Sequence, residues 1–196
     1  MRTLHRQSVR RGRAADVRLT TEIRLNAIVL PREPSGRTLR WLWLSLFVIV
    51  VDQATKRAIL AAFRPGEDLP LTSFASLVLA FNKGAAFSFL AGEDGWQRWL
   101  FAVIAVAACA AMAWLLRRGG SALFCAALAL IIGGALGNLY DRLVLGHVVD
   151  FLLVHYRDWY FPAFNVADSA ITIGAGALIV DSFVDRRSSV ARQPKA

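Results

Sequence analysis

Two acidic residues stand out among the few polar groups of a mostly apolar chain. Asp150 lies in Gly146-His147-Val148-Val149-Asp150-Phe151, and Asp168 closes Phe164-Asn165-Val166-Ala167-Asp168. Neither has a basic residue at helical spacing to neutralise it, and the nearest cations, His147 and Arg157, sit in the connecting segment itself. Two carboxylates brought together at a lipid–water boundary cannot both ionise readily, so one pKa rises and the pair shares a proton. The charged member can then activate a water while the protonated member polarises a scissile carbonyl. That chemistry is peptide hydrolysis by an aspartic dyad. Plainer roles fit the same residues. Asn165 and Asp168 have the spacing of a helix N-cap and its third residue, and Asp150 could be an ordinary loop carboxylate. Spacing alone favours the plainer roles.

Other polar groups surround these two in sequence. Asp52 and Lys56 are four apart, as an ion pair on one helical face would be. Asn138, Asp141 and Arg142 fall at i, i+3 and i+4, so one helical face carries all three. Asp141 and Arg142 are neighbours and pair poorly with each other. Each needs a partner elsewhere, because an unpaired charge in a membrane is expensive. Gly133, Gly134 and Gly137 read as close-packing positions. His147 and His155 have no partners at metal spacing, so no metal and no other cofactor is expected.

The elements that must position these groups are membrane helices. The 196 residues are 56% apolar and 19% charged, against roughly 45–50% and 25% for a soluble domain. The formal charge of +9 is unevenly spread. Ten basic residues precede Trp41, Arg117-Arg118 form a pair, and four more follow Asp185. Basic residues that flank apolar runs indicate a membrane and exclude a nucleic-acid stripe. Cys109 and Cys125 lie inside apolar runs and read as small hydrophobes.

Spans are expected over 39–63, with Asp52 and Lys56 near the far end, over 99–116, over 122–139 and from Asp168 to about Val184. The two glycines Gly119-Gly120 join the middle two as a tight hairpin. With both chain ends and Arg117-Arg118 on the cytoplasmic side, four helices satisfy all three basic clusters. The expected fold is thus an all-α membrane protein of four transmembrane helices. Residues 1–38 are expected to form a disordered, Arg-rich cytoplasmic arm, 39–184 the four-helix domain and 185–196 a cytoplasmic tail. Between the first two spans, Ser76–Phe81 is strand-like, Asn82-Lys83-Gly84 reads as a turn, and 85–90 could return as a second strand. Residues 140–167 are expected to be an extracytoplasmic loop whose aromatics Phe151, Tyr156, Trp159, Tyr160 and Phe161 suit an interfacial segment.

Five blocks in order resemble the lipoprotein signal peptidase (signal peptidase II) family of bacterial inner membranes. They are Val51-Asp52-Gln53-Ala54-Thr55-Lys56, Phe81-Asn82-Lys83-Gly84-Ala85-Ala86-Phe87, Gly134 through Arg142, Gly146 through Phe151, and Phe164 through Asp168. The resemblance runs from about Trp41 to Val184. It implies a catalytic pair of Asp150 and Asp168, with Asp52, Lys56, Asn82, Gly84, Asn138, Asp141, Arg142 and Asn165 lining or bracing the substrate site. The implied substrates are prolipoproteins whose cysteine already carries diacylglycerol, cut just before that cysteine. Membrane lipids and globomycin-type cyclic peptides are the other implied partners. Two readings compete with this one. A proton-coupled transporter would place acids at several depths and would favour inverted repeats, which the sequence lacks. A structural subunit would leave Asp150 and Asp168 without a use.

Overall fold

The computed structural model describes residues 36–84 and 95–191, with side chains between 38 and 184. The expected N-terminal arm up to residue 35, the possible return strand at 85–90 and the last residues of the tail lie outside the described residues. After a single helical turn at Gly36–Leu39 come four long helices: α1 (Leu42–Ala62), α2 (Gln97–Arg118), α3 (Ala122–Val144) and α4 (Val166–Ala191). They match the expected spans to within a few residues, except that α3 runs five residues further, taking Asp141 and Arg142 into its last turns, and α4 continues seven residues past Val184 to Ala191. Three are long and apolar enough to cross a membrane: α2, α3 and the Val166–Val184 part of α4. α1 is as long, but its C-terminal half carries Asp52, Lys56 and Arg57.

Small residues let the helices approach closely. A methyl group on Gly133 would come within 2.8 Å of the Ser45 carbonyl oxygen in α1. On Gly134 it would meet the Ala167 carbonyl oxygen of α4 at 2.3 Å, and on Gly137 the Asp52 carboxylate at 2.7 Å. α3 is therefore wedged between α1 and α4, as small-residue packing in lipid favours. Ser45 Oγ adds a bond across α1–α3 by donating to the Ala129 carbonyl at 2.7 Å. At the other end Leu116, Cys125, Leu128 and Ile132 form an apolar cluster that ties α2 to α3. The hairpin between them turns at Gly119, whose φ of 76° suits a residue without a side chain. Ser121 then caps α3 by accepting from the Phe124 N–H.

The extended element is larger than its sequence pattern indicates. Strands β1 (Asp68–Thr72), β2 (Ala75–Asn82), β3 (Val148–Tyr156) and β4 (Trp159–Tyr160) form an antiparallel sheet in that order. The expected strand at Ser76–Phe81 is β2. β3 corrects the reading of 140–167 as loop. Its first four residues are all buried, so Val148-Val149-Asp150-Phe151 shows none of the in–out alternation that marks a strand in sequence. Its partner β2 lies about 70 residues earlier, with Ala80 opposite Asp150 and Asn82 opposite Val148. Ile59, Leu79, Val149 and Phe151 bury together, which fastens the sheet to the end of α1. Beyond β3, Tyr156, Trp159 and Tyr160 are exposed.

Candidate active site

Asp150 reaches the site from the middle of β3, and Asp168 from the first turn of α4. What joins these two elements is Phe164, whose backbone pairs with Leu152 in both directions at 2.8 and 2.9 Å. That short bridge sets Asn165, the residue starting α4, beside Asp150. Asn165 Nδ2 donates to Asp150 Oδ1 at 2.7 Å, and its backbone N–H donates to Asp168 Oδ2 at 3.3 Å. Asn165 Oδ1 in turn accepts from the Asp168 N–H at 2.9 Å. The reciprocal pair is a capping box, so the capping role open in the sequence is real. It also brings the two acids to one residue, and both line one cavity of about 1030 Å3.

Asn82, Asn138 and Arg142 line the same cavity with Asp150 and Asp168, together with apolar groups such as Leu153, Phe161, Phe164 and Ile171. Asn82 reaches diagonally across β2–β3 to donate to Asp150 Oδ2 at 3.1 Å. Asn138 Nδ2 donates to Asp168 Oδ1 at 2.7 Å. Burial, reinforced by the neighbouring Asp168 carboxylate, pushes the Asp150 carboxyl up to about 7 against the pull of Asn82 and Asn165. Burial likewise lowers the imidazole of His147, which packs tilted against Phe81 with 4.4 Å between ring centroids.

Arg142 changes the picture of cations drawn from spacing. His147 and Arg157 are the nearest basic groups along the chain, yet it is Arg142, from the end of α3, and Lys83, just after β2, that line the cavity shared by the two acids. Its guanidinium lies 5.2 Å from the centre of the Phe101 ring and donates to the Asn138 carbonyl at 3.3 Å. The two ion pairs among the described residues both belong to Lys56.

The remaining site candidates stand behind the cavity wall. Lys56, 1% exposed, pairs at 2.8 Å with Asp52 Oδ2 and at 2.8 Å with Asp141 Oδ2. Its third proton goes to Asn138 Oδ1 at 2.9 Å. Asp52 also accepts from the Ala167 N–H at the start of α4, and Asp141 from the Val149 N–H beside Asp150. Gly84 does not line the cavity; its N–H donates to Asn82 Oδ1 at 3.1 Å and fixes that side chain. Gln53 was not singled out by spacing, yet Nε2 donates to Asp141 Oδ1 at 2.8 Å and to the Gly137 carbonyl at 3.3 Å. Adjacent to Asp52, it lies off the i, i+4 face, and only its length brings it to the network. Among the described residues no His, Cys, Asp and Glu cluster has metal-binding geometry.

Comparison with known proteins converges on one group. The family model described as signal peptidase (SPase) II matches residues 44–184. A lipoprotein signal peptidase of Ralstonia nicotianae is 60% identical over 142 residues, covering 72% of this chain and 82% of that protein. One from Pseudomonas putida is 54% identical over 165 residues, covering 81% and 96%. A bacterial membrane enzyme solved by the in meso method at 2.3 Å resolution superposes with a TM-score of 0.70 and 26% identity, over 86% of this chain and 99% of that one.

Proposed function

Since the chain belongs to the signal peptidase II family, and so is a membrane peptidase of the aspartic type, we propose that it removes signal peptides from diacylglyceryl-modified prolipoproteins, cutting before the lipidated cysteine. Asp150 and Asp168 are its catalytic pair. The observation that carries this reading is their common cavity, in which burial beside Asp168 holds the Asp150 proton up to about pH 7. Asp168 takes a proton from a water, and the water oxygen bonds to the scissile carbonyl carbon. Asp150 gives its proton to the carbonyl oxygen, so the intermediate is a neutral gem-diol. Its collapse breaks the C–N bond, with one hydroxyl proton returning to Asp150 and the proton on Asp168 passing to the leaving amine. The pair ends as it began. Arg142 and the Asn82 and Asn138 amides orient the peptide carbonyls, while apolar residues such as Leu153, Phe161 and Ile171 receive the acyl chains.

The domain layout follows the charge pattern: four spans over 39–184, a cytoplasmic arm at 1–38 and a cytoplasmic tail at 185–196 in the bacterial inner membrane, with the site opening outward. α1 spans because Asp52 and Lys56 are paired within the bundle, while Arg57 is exposed one turn from the end of the helix. Exposed Tyr156, Trp159 and Tyr160 rest at the lipid headgroups and cover the bound peptide. Globomycin-type cyclic peptides compete for the same cavity. The test is cleavage of a diacylglyceryl prolipoprotein by Asp150→Asn and Asp168→Asn. Turnover should fall about 10⁴-fold in each, with thermal melting in detergent unchanged. Turnover near wild type in either variant would remove that residue from the catalytic pair.

A further inference from the structure

Three asparagines face the two carboxylates, and each has its own carbonyl oxygen already engaged. Asn82 Oδ1 accepts from the Gly84 N–H, Asn165 Oδ1 from the Asp168 N–H, and Asn138 Oδ1 from Lys56 Nζ. A backbone N–H and an ammonium can only donate. None of the three amides can therefore turn over without setting two donors against each other. Each is left with its NH2 toward the pair: Asn82 and Asn165 toward Asp150, Asn138 toward Asp168.

The three locks differ in kind. Those on Asn82 and Asn165 are backbone groups and survive any side-chain substitution nearby. The lock on Asn138 is made of side chains: Lys56 Nζ donates to its Oδ1 at 2.9 Å and Asn165 Nδ2, the longer contact, at 3.2 Å. Lys56 has three protons and three acceptors, at 2.8, 2.8 and 2.9 Å from Asp52, Asp141 and Asn138. We propose that Lys56, which touches neither carboxylate of the pair, is a positioning residue for hydrolysis: it fixes the Asn138 amide so that this group can only donate to Asp168. The inference rests on the aspartic-pair reading above. A reversed Asn138 would turn its carbonyl oxygen to Asp168, a contact that holds only when Asp168 carries the proton. The shared proton would then sit on the member meant to activate water. Lys56, as the shorter of the two donors on Asn138 Oδ1, thus keeps an amide N–H rather than a carbonyl facing Asp168.

Neutralising Asp52 and Asp141 is a different role, and the two can be separated. Lys56→Gln keeps much of the length but offers both a donor and an acceptor, so only the longer Asn165 Nδ2 contact is left to bias the Asn138 orientation. Lys56→Arg remains donor-only. The other charged groups facing the cavity, Arg142 and Lys83, stay the same in every variant. The readouts are an infrared titration of the protonated carboxyl in the full chain in detergent, without substrate, and kcat and KM on a diacylglyceryl prolipoprotein. The infrared band is assigned by its loss in Asp150→Asn.

In wild type the band should belong to Asp150 and titrate near pH 7. In Lys56→Gln it should divide between the two aspartates, and kcat should fall about 10²-fold with KM unchanged. Lys56→Arg should restore the undivided band and most of kcat. Lys56→Gln combined with Asn138→Ala should be no slower than Asn138→Ala alone, because the lysine acts through that amide. The proposal is overturned by a Lys56→Gln protein that melts like wild type and keeps the band on Asp150. A folded Lys56→Arg protein with a divided band overturns it equally, and that variant decides by itself if Lys56→Gln does not fold. The catalytic pair fails separately, through turnover in Asp150→Asn or Asp168→Asn.

Discussion

Two acidic clusters meet at Asn138 and are put to opposite uses. Behind it, Asp52 and Asp141 enclose Lys56, and Gln53 and the Ala167 and Val149 N–H groups take up their remaining oxygens. In front, Asp150 and Asp168 hold only amide and backbone donors and face an open cavity. The residue types are the same, and burial does not set Asp150 apart from the rear pair, since it is 2% exposed and Asp141 1%, although Asp168 is only half-buried. What separates them is the partner. Behind Asn138 a buried ammonium pairs both acids; in front, only neutral amide and backbone groups donate to them.

The largest test of this contrast sets Asp150→Asn beside Asp141→Leu. The first should abolish turnover without changing the melt. The second leaves Lys56 one carboxylate short and should destabilise the fold by about 3–5 kcal/mol, read as a lower melting temperature in detergent. Equal melts for the two variants would erase the distinction. Next in size is the pH dependence. Asp150 holds its proton below about pH 7 and loses it above, so kcat/KM should decline about tenfold per unit on the alkaline side. The profile reports the pair as a unit. An activity that stays level from pH 6 to 9, as flagged by that roughly pH 7 midpoint, would show that no protonated carboxyl is needed.

The smallest effects test the packing that holds the clusters apart. Gly134→Ala drives a methyl into the Ala167 carbonyl at 2.3 Å and should cost about 1–3 kcal/mol, with a matching loss of turnover because Ala167 precedes Asp168. At Gly176 a methyl meets nothing within 4 Å, so alanine there should be neutral or stabilise by up to about 1 kcal/mol. Similar melts for the two alanine variants would mean that the α3–α4 approach is looser than these distances require.

The sequence made the helices legible because apolar length and flanking arginines are local signals. The Asp52–Lys56 pair was legible for the same reason, being four residues apart on one helix. β3 was not, since its buried first half lacks alternation and its partner strand is remote. Arg142 could be placed on a helical face with Asn138, but its position opposite Asp150 depends on how α3 meets the sheet. At Asp168 the two candidate roles turned out to be compatible: the capping box with Asn165 and the place in the cavity use the same carboxylate. Spacing posed them as alternatives because it cannot reveal what lies across from a helix start.

The site is assembled from α1, β2, α3, β3 and α4, and of its acidic groups Asp168 is the last to be made. At about 5–20 residues per second, synthesis needs on the order of ten seconds to pass from Asp52 to Asp168. Throughout that interval one member of the proposed catalytic pair does not yet exist. The cap that starts α4 and the meeting of Asp168 with Asp150 through Asn165 are one event. On the proposed aspartic-pair reading, such a protease cannot attack its neighbours, or itself, before the last helix has docked.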